Sequence, residues 1–248
     1  VSRLQLVGVA TATSTFGILF LFMVQWMAAF ATGRIIVSRN IVLMILFWIA
    51  WLIGFSYNSA LDPEYGFWLS FVGYTLGVGL CEEFVKGLPV LLRFRGADPL
   101  GWQGACLWGL ASGIGFGIAE GIMYSSDMYN GIHTWPVYYV RFLSCVALHA
   151  VWSGAVVIMI WRCREEMNDV DWQGLVVCLF KVLTVPVVLH GLYDTLLKKD
   201  YHALALVTAV ASFGWLYFLM FRTGRDFEDM EIARRHRERQ RALKGLPA

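Results

Sequence analysis

Seven long apolar segments follow one another along this chain, and they limit what it can fold into more than any other feature. They cover about residues 6–32, 41–57, 66–92, 102–124, 137–161, 174–197 and 203–221. A helix of about 20 apolar residues is long enough to cross the hydrocarbon core of a bilayer. The sequence therefore predicts an all-α, polytopic membrane protein with about seven transmembrane helices.

The composition leaves little material for a soluble domain. Of the 248 residues, 58% are hydrophobic and 15% are charged, and the mean hydropathy is +0.60. Seven spans of about 20 residues would use most of the apolar residues, so a cytosolic enzyme on a membrane anchor is excluded. We expect a transmembrane domain over 1–221 and a charged cytoplasmic tail over 222–248. The net charge of +2 gives no broad basic surface, so nucleic acid is not an expected partner.

Basic residues alternate between the loops. Arg34 and Arg39 lie in the first loop and Arg93 and Arg95 in the third, whereas the second and fourth loops contain no lysine or arginine. Loops rich in positive charge stay in the cytoplasm. We therefore expect an integral protein of the cell (inner) membrane with its N-terminus outside, its C-terminus in the cytoplasm and the loop around Asp127 outside.

Glycine recurs at every fourth position of the fourth apolar segment. The stripe consists of Gly109, Gly113, Gly117 and Gly121. Small residues at this spacing share one helix face and let a neighbouring helix approach closely. The pattern predicts a central fourth helix in contact with another helix along this stripe.

Ionisable residues interrupt the apolar segments three to six. They are Glu82, Glu83 and Lys86 in the third, Glu120 in the fourth, His149 in the fifth, and His190 and Asp194 in the sixth. A charge near the bilayer centre costs about 2.5 to 3.5 kcal/mol even on the lenient insertion scale, and interhelical hydrogen bonds average only about 0.6 kcal/mol each. Stability alone therefore does not explain these residues, and we predict a polar intramembrane site between helices three and six.

Spacing suggests partners within this group. Glu82 and Glu83 lie four and three residues before Lys86, and both spacings bring side chains together on one helix face. The ammonium can neutralise one glutamate and leave the other as a base. Asp194, four residues after His190, can fix the tautomer of that imidazole.

The order and spacing of these residues resemble the motifs of the PrsW family of intramembrane proteases. The motifs are Glu82-Glu83-x-x-Lys86, Phe116-x-x-x-Glu120-x-x-x-Tyr124, His149-x-x-Trp152 and His190-x-x-x-Asp194. The same superfamily contains the type II CAAX-prenyl endopeptidases and the non-proteolytic Aph-1 scaffold. One position departs from the family pattern, because Gly121 stands where Asn usually follows the helix-four glutamate.

The resemblance implies an intramembrane endopeptidase that cleaves a membrane-embedded protein, such as a single-span regulatory protein. A carboxylate would deprotonate water while an imidazole or a cation stabilises the oxyanion. We expect Glu82 or Glu83 as the base and Lys86 as the group that tunes this pair.

The remaining residues of this group allow two mechanisms, one with a metal ion and one without. In the first, His149, His190 and one carboxylate hold zinc, a common catalytic set. In the second, glutamate activates water unaided and the histidines act as oxyanion donors; Lys86 favours this reading because it would repel a dication. In both, Glu120 works with His149, and Asp194 with His190.

Two other classes of function compete with proteolysis. A scaffold similar to Aph-1 would use the cavity to bind a transmembrane partner, and Gly121 favours it. A haem carrier would place His149 and His190 on the two sides of a haem, but the acidic group in helix three argues against it. The expected partners are a transmembrane protein substrate and the lipid bilayer.

Overall fold

The computed structural model describes residues 1–34, 39–94, 100–123, 134–169 and 171–243. Within these ranges the regular elements are seven helical rods and no strand is present. They are α1 (Arg3–Thr32), α2 (Ile41–Leu61), α3 (67–94), α4 (Trp102–Met123), α5 (Trp135–Asp169), α6 (Trp172–Lys198) and α7 (His202–Leu243). The all-α prediction is confirmed.

Six of these helices are long and apolar enough to cross a membrane, as judged by length and composition in the described ranges. The exception is α3, the predicted third span. This helix carries Glu82, Glu83 and Lys86, whose charge lowers its mean apolarity. The chain is thus a polytopic membrane protein with six strongly apolar helices and a seventh, amphipathic one that carries the charges.

Polar residues at the helix starts satisfy the free backbone donors there. Ser2 and Gln5 form a capping box at α1, the Asn40 side chain accepts hydrogen bonds from the first turn of α2, and Asp171 caps α6 through Gly174 N–H. Such caps matter because the first N–H groups of a helix have no intrahelical acceptor.

A π-helical stretch, Tyr74–Gly79, interrupts α3 between Phe67–Gly73 and Leu80–Phe94. Short π-helical turns often occur next to functional residues because they change which face of the helix a side chain occupies. A Cβ at Gly79 would lie 3.1 Å from the Val187 carbonyl oxygen and 3.5 Å from the His190 Cβ. The stretch therefore packs against α6 directly before the charged part of α3.

The glycine stripe of α4 packs on α5, as predicted. A Cβ at Gly109 would lie 2.6 Å from the Ser153 carbonyl oxygen, and one at Gly117 would lie 2.8 Å from the Val146 Cα. Gly113 faces the His149 carbonyl oxygen with no space for a side chain. Gly115, on another face of α4, meets the Ala10 backbone of α1 in the same way. These contacts make α4 the central helix.

We expect Gly113→Ala to destabilise the protein by about 1 to 3 kcal/mol, the usual cost of overpacking a tight contact. The added methyl group would push away the backbone at His149, so activity should fall as well. Thermal unfolding in detergent measures the first effect. Gly214→Ala is the matched control, because a Cβ at Gly214 meets nothing within 4 Å; equal stability of the two variants would contradict the prediction.

Helix α7 continues without interruption past the apolar part of the chain. Its 42 residues span about 63 Å at 1.5 Å per residue, about twice the thickness of the hydrocarbon core. Arg162 of α5 bonds Asp226 (2.8 Å) and Thr223 (3.1 Å) of this extension. The expected boundary at residue 221 therefore lies inside one helix, and the start of the tail is tied to α5.

Candidate active site

The structure brings all seven predicted site residues into one group, which we call the polar cluster: Glu82, Glu83, Lys86, Glu120, His149, His190 and Asp194. Four helices contribute to it, α3 to α6. Six of the residues are buried, and Asp194, whose side chain is 21% exposed, is the most accessible member. The predicted convergence is confirmed, whereas the catalytic roles of these residues stay predictions.

Lys86 lies at the centre of the polar cluster. Its ammonium is 2.6 Å from Glu83 Oε1 and 2.6 Å from His149 Nδ1, and it is 3.9 Å from Glu82 Oε2. Spacing along α3 allowed either glutamate as its partner, and the structure assigns Glu83. The Lys86 backbone carbonyl accepts a hydrogen bond from Ser112 Oγ of α4 at 2.7 Å, which holds this turn of α3 in place.

His149 bridges the Lys86 ammonium and Glu120. Because the ammonium only donates, Nδ1 of His149 accepts this hydrogen bond, and the ring proton then resides on Nε2. That N–H donates to Glu120 Oε2, 2.6 Å away. The Phe116 ring packs beside the imidazole, with ring centroids 5.2 Å apart. The neighbours thus set the tautomer of His149.

His190 is held between two carboxylates. Its Nδ1 is 3.0 Å from Glu83 Oε1, and its Nε2 is 3.3 Å from Asp194 Oδ2. The Trp152 ring stacks on it, with centroids 4.3 Å apart and planes inclined by 16°. Trp152 Nε1 donates to Ser212 Oγ of α7 at 3.0 Å, so α7 supports the site through this tryptophan. The expected pairing of Asp194 with His190 is present.

Glu82 has one carboxylate oxygen that lacks a hydrogen-bond partner among the described residues. This atom, Oε2, is buried and unbonded among the described residues. It lies 3.7 Å from His190 Nε2 and 3.9 Å from His149 Nδ1. The second unbonded carboxylate oxygen is Glu83 Oε2, but its partner oxygen Oε1 is bonded to both Lys86 and His190.

The polar cluster contains more buried negative than positive charge. Among the described side chains, the charged residues that are buried are Glu82, Glu83, Glu120 and Lys86. A low-dielectric interior requires this excess to be compensated. A second proton on His190 or a bound divalent cation would provide the missing positive charge.

Two sets of side chains in the described ranges bring three possible metal ligands close together. Glu82, His149 and His190 offer ligand atoms that all lie within 4.8 Å of one another, and so do Glu120, Cys145 and His149. The first set has two imidazoles and one carboxylate, the donor types preferred by catalytic zinc. The second uses His149 from its other side.

Two neighbours of the polar cluster were not predicted from the sequence. Cys145 Sγ lies 3.5 Å from Glu120 Oε2. Its position four residues before His149, on the same face of α5, could have indicated that it lies near the site. Tyr57 of α2 packs on the π-helical stretch that precedes Glu82, since a Cβ at Gly77 would lie 2.8 Å from Tyr57 N, and nothing in the apolar second segment indicated this. Tyr124, the last residue of the helix-four motif, lies outside the described residues.

The two histidine rings touch each other, with centroids 5.2 Å apart. Both ring nitrogens of each histidine are already bonded to a carboxylate or to Lys86. This arrangement leaves no space for a haem between them and does not support the electron-carrier alternative.

The fold and the site together define a class of protein: a polytopic membrane protein with carboxylates, imidazoles and an ammonium buried between its helices. The model of the PrsW family of intramembrane metalloproteases matches residues 15–222. The chain belongs to this family and is an intramembrane protease. No curated protein and no solved structure matches the chain.

Proposed function

We propose that the chain hydrolyses a peptide bond in a single-span membrane protein and that Glu82 activates the attacking water. The observation that carries this proposal is the unbonded Glu82 Oε2 in the centre of a network whose other members are bonded to each other. A buried carboxylate oxygen with no partner is costly to maintain. A water molecule bonded to it would both satisfy the oxygen and stand in position for attack.

The reaction then needs two proton movements. Glu82 takes a proton from water as the water oxygen bonds to the carbonyl carbon, and the carbonyl oxygen gains negative charge. When the carbon–nitrogen bond breaks, the same proton passes from Glu82 to the leaving nitrogen. Glu83 holds Lys86 and His190, and Glu120 and Asp194 orient the two imidazoles.

The residues of the polar cluster also fit a divalent metal of the zinc class. The fit rests on the donor types, on the unbonded Glu82 oxygen and on the excess of buried negative charge. Glu82, His149 and His190 would hold the ion, with Glu120 bonded to the other ring nitrogen of His149; Glu82 would then act as a ligand and not as the base. A bound zinc would polarise the carbonyl group and acidify water. Lys86 would then have to leave His149 Nδ1, which it contacts at 2.6 Å.

Metal content gives a direct test of this arrangement. We expect about one zinc ion per chain in protein purified without chelators, and we expect its loss from His149→Ala and from His190→Ala. Phenanthroline should stop cleavage, and added zinc should restore it. His202→Ala is the matched control, because His202 is exposed at the start of α7. Undiminished cleavage by metal-free protein would contradict a metal role and leave Glu82 as the sole activator of water.

The family supports the proposed substrate class, a single-span regulatory protein. The arginine alternation supports a cytoplasmic C-terminus, and a cell (inner) membrane is the proposed location. A non-proteolytic scaffold is not favoured, since the matching family is a protease family.

The test is cleavage of a panel of single-span proteins by the full chain reconstituted in lipid vesicles. We expect new termini, identified by mass spectrometry, in at least one substrate with wild-type protein. A scaffold would instead retain an intact partner through purification. Intact substrates throughout the panel, with partner retained, would overturn the proposal.

A further inference from the structure

An acyl-transfer site needs a hydrogen-bond donor for the oxygen that becomes negative, and most donors of the polar cluster are already engaged. Lys86 bonds Glu83 and His149, and His149 donates to Glu120. His190 lies between Glu83 and Asp194. Donors that are bound to carboxylates are not available to a substrate oxygen without breaking these contacts.

Tyr57 supplies a donor of another kind. Its hydroxyl oxygen is buried and makes no close hydrogen bond to the described residues. A buried hydroxyl in this state lowers stability, and it calls for an explanation in a native structure. Phenolic O–H is also a neutral donor, so it does not attract a carboxylate as strongly as an ammonium does.

The position of Tyr57 relates it to Glu82. At Tyr57, α2 packs directly on the π-helical stretch of α3, since a Cβ at Gly77 would lie 2.8 Å from Tyr57 N. Side chains lean towards the N-terminus of their own helix, and α2 runs antiparallel to this part of α3, as successive contacts of Gly73 and Gly77 with Ala60 and Tyr57 show. The Tyr57 ring therefore leans towards the level of Glu82.

Gln25 of α1 lies beside the same hydroxyl. It is a polar residue in the middle of an apolar helix, where burying an amide costs free energy unless the amide has a polar partner. An amide beside a phenol can orient its O–H through a weak hydrogen bond.

We propose that Tyr57 is a catalytic residue whose hydroxyl donates a hydrogen bond to the oxyanion formed at the scissile carbonyl, with Gln25 as its positioning residue. The inference rests on the proposed peptide hydrolysis at Glu82. In the transition state the water bound to Glu82 attacks from one side, and the Tyr57 O–H meets the carbonyl oxygen. No proton is transferred from the phenol, so the bond changes of the hydrolysis are unaltered.

The test is Tyr57→Phe, which removes only the hydroxyl oxygen. With the single-span substrate that wild-type protein cleaves fastest, we expect kcat to fall about 10²-fold to 10³-fold while KM stays unchanged, as for loss of one oxyanion donor. The thermal midpoint should stay the same or rise, because the variant lacks an unsatisfied buried group. Tyr217→Phe is the control, since Tyr217 is 71% exposed on α7.

The outcomes separate this inference from the proposed function. Wild-type kcat in Tyr57→Phe would overturn the role of the phenol and leave the hydrolase assignment intact. A fall in kcat together with a lower thermal midpoint would show a structural role and would also overturn it. Absence of cleavage by wild-type protein would instead count against the proposed function.

Discussion

Glu82→Gln should lower kcat by about 10²-fold to 10⁴-fold, the range that a positioned general base contributes. The amide has almost the same shape as the carboxylate but cannot take a proton from water. The rate of cleavage of a single-span protein at saturating substrate concentration measures the loss of kcat. Glu82→Ala should be at least as inactive.

The Glu82 variants should lose activity without losing stability. Glu82 Oε2 has no hydrogen-bond partner in the described structure, so removing its charge breaks no bond and eliminates one buried anion. We expect an unchanged or higher thermal midpoint for Glu82→Gln. Glu64→Gln is the matched control, because Glu64 is exposed after α2. Wild-type cleavage by Glu82→Gln would end the assignment of the base.

Lys86→Met should be both inactive and unstable. The ammonium is fully buried against Glu83 at 2.6 Å, and its loss leaves a buried carboxylate without a cation. Breaking a buried pair in this way costs about 3 to 5 kcal/mol. Glu83→Gln should be destabilised for the reciprocal reason, and like Glu83→Ala it should not cleave, because Lys86 and His190 both lose their partner.

The double variant Glu83→Gln/Lys86→Met separates structure from chemistry. Since it removes both charges, we expect it to regain most of the stability that each single variant loses, yet to stay inactive. Thermal or denaturant unfolding of all four proteins gives the coupling. Lys181→Met is the control, because its pair with Glu166 is 3.8 Å apart and more than half exposed, and such pairs contribute about 1 kcal/mol or less. Additive losses in the double variant would refute the pairing.

Local sequence was enough to predict the helices and to select the residues of the site. A transmembrane helix is defined by the length of an apolar run, which is a local property, and each predicted span corresponds to a helix in the structure. The same holds for the seven ionisable residues, because a charge in an apolar segment is conspicuous wherever the segment packs. The contact along the glycine stripe of α4 could also be predicted, since a spacing of four residues places the glycines on one helix face.

The partners of these residues depended on how the helices pack. Spacing along α3 allowed Lys86 to bond either glutamate, and the approach of His149 from α5 and His190 from α6 favours Glu83 and leaves Glu82 Oε2 unbonded. Tyr57, the proposed oxyanion donor, belongs to α2, which carries no other indication of function. Contacts between helices that are far apart in the chain depend on how each helix is rotated about its axis and how deep it lies in the bundle. No local sequence pattern contains this information, whereas the presence of a polar residue in an apolar segment can be read at each position by itself. The sequence alone therefore determined which groups enter the membrane, and the tertiary structure decided which of them bond to each other.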